Sequence, residues 1–158
     1  MSTTLTSPAP TTLNLRQELK RLFGYDRFKG SQEAVVSAVI EGVDTVAIMP
    51  TGAGKSLCYQ LPAMLLPGVT LVISPLIALM KDQYDSLPRH VYERTTFINS
   101  TLSFEETTQR VEEILAGKYK LVYCAPERLR QQSFVEALRK ARISLFVVDE
   151  AHCVSMWG

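Results

Sequence analysis

Apolar positions along this chain switch between helical and strand-like spacing, and the switches predict the order of its elements. Leu15, Leu19, Leu22 and Phe23 recur at helical spacing, as do Ala34, Val35, Ala38 and Val39 after a Gly30-Ser31 interruption, so two short helices come first. Val43–Met49 reads as a buried strand, followed by a glycine-bearing turn and a helix from about Lys55 that bends or ends near Pro62. Val69–Ser74 is a second strand, broken by Pro75, after which Leu76, Leu79, Met80, Gln83, Tyr84 and Leu87 follow a helical pattern. Thr95–Ile98 is a weaker strand. Phe104–Leu115 is an amphipathic helix with Phe104, Thr108, Val111 and Leu115 on one face, and Leu121–Cys124 is a strand. One or two helices fill Glu127–Lys140, and Ile143–Val148 is the most convincing buried strand. Short apolar strands alternating with helices predict an α/β fold whose parallel sheet carries helices on both faces, because parallel neighbours need a crossover between them.

Composition sharpens this picture at a few points. With 158 residues, 46% of them hydrophobic, the chain has material for one core and one domain. Lys and Arg number 17 against 16 Asp and Glu, so any nucleic-acid contact must be local and not the work of bulk charge. Apolar runs such as Val69–Ile73 and Leu145–Val148 are far shorter than the roughly 20 residues of a membrane helix. Cys58, Cys124 and Cys153 stand far apart with no CxxC pair, which excludes a zinc ligand set and fits a reducing compartment. Residues 1–13, rich in Ser, Thr and Pro, read as a flexible tail without the features of a secretory signal. The expected location is cytoplasmic, nucleoid-associated in a bacterium and nuclear in a eukaryote.

The candidate chemistry lies at two strand ends. Met49-Pro50-Thr51-Gly52-Ala53-Gly54-Lys55-Ser56 sits between the first predicted strand and its helix, where a P-loop belongs, although a strict GxxxxGK[ST] pattern wants Gly at position 49. Thr51, Gly52, Ala53 and Gly54 would cradle ATP phosphates with backbone N–H groups at the start of the new helix. Lys55 would reach the terminal phosphates and the Ser56 hydroxyl would ligand Mg²⁺. The last predicted strand delivers Asp149-Glu150-Ala151-His152 to its carboxyl end, the side on which open parallel sheets bind ligands. Asp149 can hold Mg²⁺ and Glu150 can orient or deprotonate the attacking water, so Lys55, Asp149 and Glu150 are the candidate catalytic residues. An acidic pair alone would read as a solvated turn; beside a P-loop it becomes the second half of an ATPase site. His152 and Cys153, lacking further ligands at suitable spacing, do not suggest zinc. Cys58 and Cys124 read as buried apolar residues.

The two motifs together resemble those of superfamily 2 helicases, and their surroundings resemble the RecQ DNA helicases in particular. The matching stretches are Leu22–Tyr25 with Phe28–Gln32, Met49–Ala63, Val72–Gln83, Asn99–Thr101, Tyr123–Leu129 and Asp149–Gly158. The resemblance implies a RecA-like P-loop NTPase lobe over residues 14–158. It also implies ATP and Mg²⁺ as cofactors, single-stranded or duplex DNA as partner, and 3′-to-5′ unwinding in recombination and repair. It assigns Gln32 to the adenine edge, Tyr25 to stacking on the base and Lys29 to a nucleotide contact. Lys29-Gly30-Ser31 stands where the family usually has Arg-Pro-Gly, and Tyr25 could equally be an ordinary half-buried aromatic. Pro75, Leu76, Asn99, Ser100 and Arg128 would line the DNA-facing surface, with Trp157 as a base-stacking platform. Read without the family, the same residues would be a strand-end turn, a solvated face and a core tryptophan. Met156 replaces the family's usual Gln.

Because Trp157-Gly158 falls within the aromatic-rich loop, the expectation is an amino-terminal piece cut after the acidic motif. Such a piece lacks the second lobe and its arginine finger. It would bind ATP weakly, hydrolyse it hardly at all and leave apolar faces uncovered. Two other readings remain open at this point: another superfamily 2 RNA or DNA translocase, and a nucleotide-binding module without catalysis.

Overall fold

The computed structural model describes residues 13–50, 54–75 and 77–156; Thr51, Gly52, Ala53, Leu76, Trp157, Gly158 and the tail through residue 12 lie outside the described residues. Its elements are α1 (Leu15–Phe23), α2 (Gln32–Ile40), α3 (Leu57–Leu65), β1 (Val69–Ile73), α4 (Ile77–Asp85), α5 (Arg89–Tyr92), β2 (Thr95–Ile98), α6 (Phe104–Leu115), β3 (Leu121–Cys124), α7 (Gln132–Arg139) and β4 (Ile143–Val148), with 3₁₀ turns at Pro126–Arg130 and Ala151–Met156. The four strands form one parallel sheet in the order β2-β3-β1-β4.

Strand alternation sends successive side chains to opposite faces, and each face has its own core. Val72, Leu121 and Tyr123 point toward α1, α2 and α3, where they pack with Leu19, Leu22, Val36 and Leu61. Val69, Leu71, Ile73, Val122 and Cys124 point the other way, onto Ile114 of α6 and Phe134 and Leu138 of α7. The α/β sheet with helices on both faces is therefore as the residue pattern predicts. Local signals start the helices where expected. The Asn14 side chain accepts from the Gln17 backbone N–H, and Ser103 and Glu106 form a reciprocal capping box at the start of α6.

Three expectations need correction. Val43–Met49 is not a strand: its residues belong to no ladder, Val46 and Ile48 are more than nine-tenths exposed, and no described strand pairs with it. An extended apolar run becomes a strand only when a neighbour takes its hydrogen bonds, and the sheet ends at β4. As that edge strand, β4 is only half-buried, with Phe146 and Val148 exposed, so it is not the buried strand its composition suggests. The inner face of α6 carries Thr107 and Ile114 with Val111, as predicted, packed against the same core, while Phe104, Thr108 and Leu115 face solvent. The helix expected to bend or end near Pro62, α3, continues through it and ends three residues later at Leu65. It is buried on every side between the sheet and the first two helices, so packing holds a turn that lost one hydrogen bond.

Between residues 43–49 and β4 lies a cavity of about 320 Å³ whose lining includes Val43, Met49, Leu145 and Phe146. Exposed Val46, Ile48, Phe146 and Val148 make this edge adhesive. The chain alone is therefore expected to self-associate, and Val46→Lys combined with Ile48→Lys to shift it toward monomer in light scattering after gel filtration. A monomeric unsubstituted chain at the same concentration would contradict this.

Candidate nucleotide-binding and catalytic site

Among the described residues, much of the predicted chemistry gathers at the carboxyl ends of the strands. Ser74 and Pro75 follow β1, Asn99 and Ser100 follow β2, Arg128 follows β3, and Asp149 and Glu150 follow β4. The amino end of α3 lies beside them, so Lys55 reaches residues 95 positions further along the chain. Its Nζ forms an ion pair with Glu150 Oε1 and lies 3.8 Å from Asp149 Oδ1. The three candidate catalytic residues are thus brought together.

Their electrostatics follow from that contact. The Glu150 carboxylate holds the Lys55 ammonium above its ordinary value, against the smaller opposing effect of burial. Reciprocally, the hydrogen bond from Lys55 keeps the Glu150 carboxyl below the usual range. Both partners stay charged near neutral pH. Glu150 also carries a left-handed backbone, φ +54°, which is rare outside glycine and clusters at functional sites. The Glu150 backbone N–H donates to Asp149 Oδ1 at 2.9 Å, which helps hold the pair in place. His152 Nε2 lies 3.4 Å from Glu150 Oε2, on the solvent side.

Gly54 is required where it stands. Its φ is +70°, and a Cβ there would meet the Gln32 Nε2 at 2.5 Å. Gln32 is buried and bridges two segments: its Oε1 accepts from the Lys29 N–H at 2.8 Å, and its Nε2 donates to the Gly54 carbonyl at 3.0 Å. The amide thus ties the loop after α1 to the turn at Gly54. Beside it lies a cavity of about 460 Å³ lined by Tyr25, Lys29, Gln32, Gly54 and Ser56 among others, with Tyr25 half-exposed at its mouth. Thr51, Gly52 and Ala53, predicted to cradle phosphate, lie outside the described residues.

The donor set suits a hard divalent cation. Ser56 opens α3 without using its side chain as a cap, and Asp149 presents a buried carboxylate. No group of three or more potential ligands occurs among the described residues. Oxygen donors in ones and twos fit Mg²⁺, which keeps water and substrate phosphates as its other ligands. Burial pushes the Cys58 thiol up and the Cys124 thiol up to about 12, so neither is a nucleophile.

Of the predicted DNA-facing residues, Asn99 is buried, and its Oδ1 accepts from the Thr101 N–H at 2.9 Å. Arg128 donates to the Asn99 carbonyl at 2.7 Å, fastening the end of β2 to that of β3. Ser100 is exposed and Pro75 half-buried, while Leu76 and Trp157 lie outside the described residues.

Residue patterns missed a buried polar relay behind the carboxylates. Gln60 Nε2 donates to Tyr123 Oη at 3.1 Å, the two tyrosine hydroxyls are 3.5 Å apart, Tyr59 donates to Gln83 Oε1 at 2.9 Å, and Gln83 Nε2 donates to Asp149 Oδ2 at 3.4 Å. Burial raises both phenols, which therefore remain hydrogen-bond donors. The available signal was Tyr-Gln inside an otherwise apolar helix, a pair that burial obliges to find partners.

No described helix is long and apolar enough to cross a membrane. The chain matches the DEAD/DEAH box helicase family model over residues 29–158. It is 44% identical over 149 residues to the ATP-dependent DNA helicase RecQ of Haemophilus influenzae, covering 94% of this chain and 23% of that protein. It is also 44% identical to the probable ATP-dependent DNA helicase RecS of Bacillus subtilis, covering 91% of this chain and 29% of the relative. For the ATP-dependent DNA helicase Q5 of Mus musculus the identity is again 44%, covering 96% and 16%. The chain thus spans less than a third of the length of these relatives. A hypothetical ATP-dependent RNA helicase from Sulfolobus tokodaii shares the fold, with a TM-score of 0.67 at 19% identity, covering 90% of this chain and 42% of that one. With the family model matched over residues 29–158, most of its length, the chain belongs to the DEAD/DEAH box helicases.

Proposed function

We propose that this chain is the ATP-binding lobe of a RecQ-type, 3′-to-5′ DNA helicase, in which ATP hydrolysis drives strand separation during recombination and repair. The observation that carries the reading is the convergence of Lys55 with Asp149 and Glu150 across the strand ends. Similarity to proteins named as DNA helicases supports DNA as the substrate.

Base and phosphates occupy neighbouring parts of the site. Tyr25, Lys29 and Gln32 line the cavity that receives the adenine, and the Gly54 turn with the start of α3 receives the phosphates. Ser56 and Asp149 would hold Mg²⁺, which would neutralise charge on the phosphate oxygens. Incoming phosphate competes with Glu150 for Lys55. As the ammonium turns to the phosphate, Glu150 loses the contact that depresses its carboxyl and becomes the better base for water. Pro75, Asn99, Ser100 and Arg128 form the DNA-facing row, and the resemblance adds Leu76 and Trp157, which lie outside the described residues, as DNA contacts. Asn99 acts there through its backbone and its turn, its side chain being engaged. The location that follows is wherever chromosomal DNA is handled.

Strand displacement tests the reading. A protein in which this chain is continued by the downstream part of a RecQ relative should separate DNA duplexes bearing a 3′ overhang, with ATP and Mg²⁺. Preference for matched RNA duplexes, or for 5′ overhangs, would overturn it.

A further inference from the structure

We infer that Gln83, on α4, is a positioning residue that orients the Asp149 carboxylate toward its cation through the buried relay behind it. The inference rests on the reading of Asp149 as a Mg²⁺ ligand.

Hydrogen-bond chemistry fixes the direction of this relay. A carboxylate only accepts, so the group facing Asp149 Oδ2 must be the Gln83 amide nitrogen, at 3.4 Å. The Gln83 carbonyl then needs a donor, and Tyr59 supplies its O–H at 2.9 Å. Having spent its proton there, Tyr59 can only accept from Tyr123, at 3.5 Å, and Tyr123 in turn accepts from Gln60 at 3.1 Å. Every donor points toward Asp149. Tyr59, Tyr123 and Gln60 are buried, so solvent does not compete for these groups. The far oxygen, Oδ1, takes the Glu150 N–H and faces Lys55. The two carboxylate oxygens are thereby distinguished, and the plane of the group is set by α4 on one side and the β4 end on the other. Because α4 follows directly on the Ser74-Pro75 turn, one helix joins the DNA-facing row to the cation ligand.

The test titrates Mg²⁺ against binding of a fluorescent ATP analogue by the 158-residue chain, with binding in excess chelator as the second readout. Gln83→Met keeps length and removes the amide. Tyr59→Phe leaves Gln83 in place and removes the proton that fixes its orientation. The Mg²⁺ concentration at half-saturation should rise roughly tenfold for Gln83→Met, the scale on which outer partners of metal ligands act. Tyr59→Phe should shift it the same way by less, and binding in chelator should change less than about twofold in either. If Gln83→Met does not fold, Tyr59→Phe decides alone. Equal weakening with and without Mg²⁺, or an unchanged Mg²⁺ midpoint, overturns the proposal alone. Absence of Mg²⁺-dependent nucleotide binding by the unsubstituted chain overturns the ATP-site reading and the proposal with it.

Discussion

Lys55→Ala is expected to weaken ATP binding by about a hundredfold or more while leaving the chain folded. A charge-assisted contact to phosphate contributes about 1.5–3 kcal/mol, which is roughly tenfold to a hundredfold in Kd. A second effect adds to it. Without the ammonium, Asp149 and Glu150 face the incoming phosphates as unneutralised carboxylates, so attraction is replaced by repulsion. Stability should respond far less, because Lys55 remains partly exposed and such pairs contribute at most about 1 kcal/mol. Calorimetric titration with Mg²⁺ and ATP, beside a thermal melt of both proteins, separates the two effects. Lys55→Arg keeps the charge but exchanges a compact ammonium for a broad planar fork, and should recover only part of the affinity. Unchanged binding by Lys55→Ala would remove the phosphate site from the argument.

Glu150→Gln should split binding from turnover. The amide cannot accept a proton from water, so hydrolysis by a two-lobe protein carrying this chain should fall by about 10²- to 10⁴-fold. Nucleotide affinity should hold or rise, because the carboxylate that occupies Lys55 without nucleotide is gone. A structural role makes the opposite forecast: if Glu150 only anchors Lys55, its loss would weaken binding and turnover together. Single-turnover hydrolysis and equilibrium binding on the same variant distinguish them. Asp149→Asn, by contrast, should raise the Mg²⁺ requirement, since it alters the ligand and not the base.

Much of this was legible before any coordinates. β1, β2, β3 and β4 fall where short apolar runs stand, and α1 and α6 begin at the cap residues Asn14 and Ser103. Lys55 and the Asp149-Glu150 pair, singled out by residue type alone, are brought together by the fold. Other features misled for physical reasons. Val43–Met49 has the composition of a strand, yet composition supplies no ladder partner. The spacing of Phe104, Thr108, Val111 and Leu115 suggests a face of α6 of which only Val111 packs inward; the helix buries Thr107 and Ile114 instead, and the Arg110 guanidinium fastens it to β2 through Thr96 and the Phe97 carbonyl.

Periodicity, capping and glycine geometry act within a few residues, so residue order alone specifies the kinds and order of most elements and the chemistry available at two turns. Which groups meet depends on how the chain packs. Lys55 reaches Glu150 across 95 positions because parallel crossovers return every strand's carboxyl end to one side of the sheet. Gln83 and Tyr59 acquire a role because burial obliges their polar groups to bond with whatever the fold has brought near.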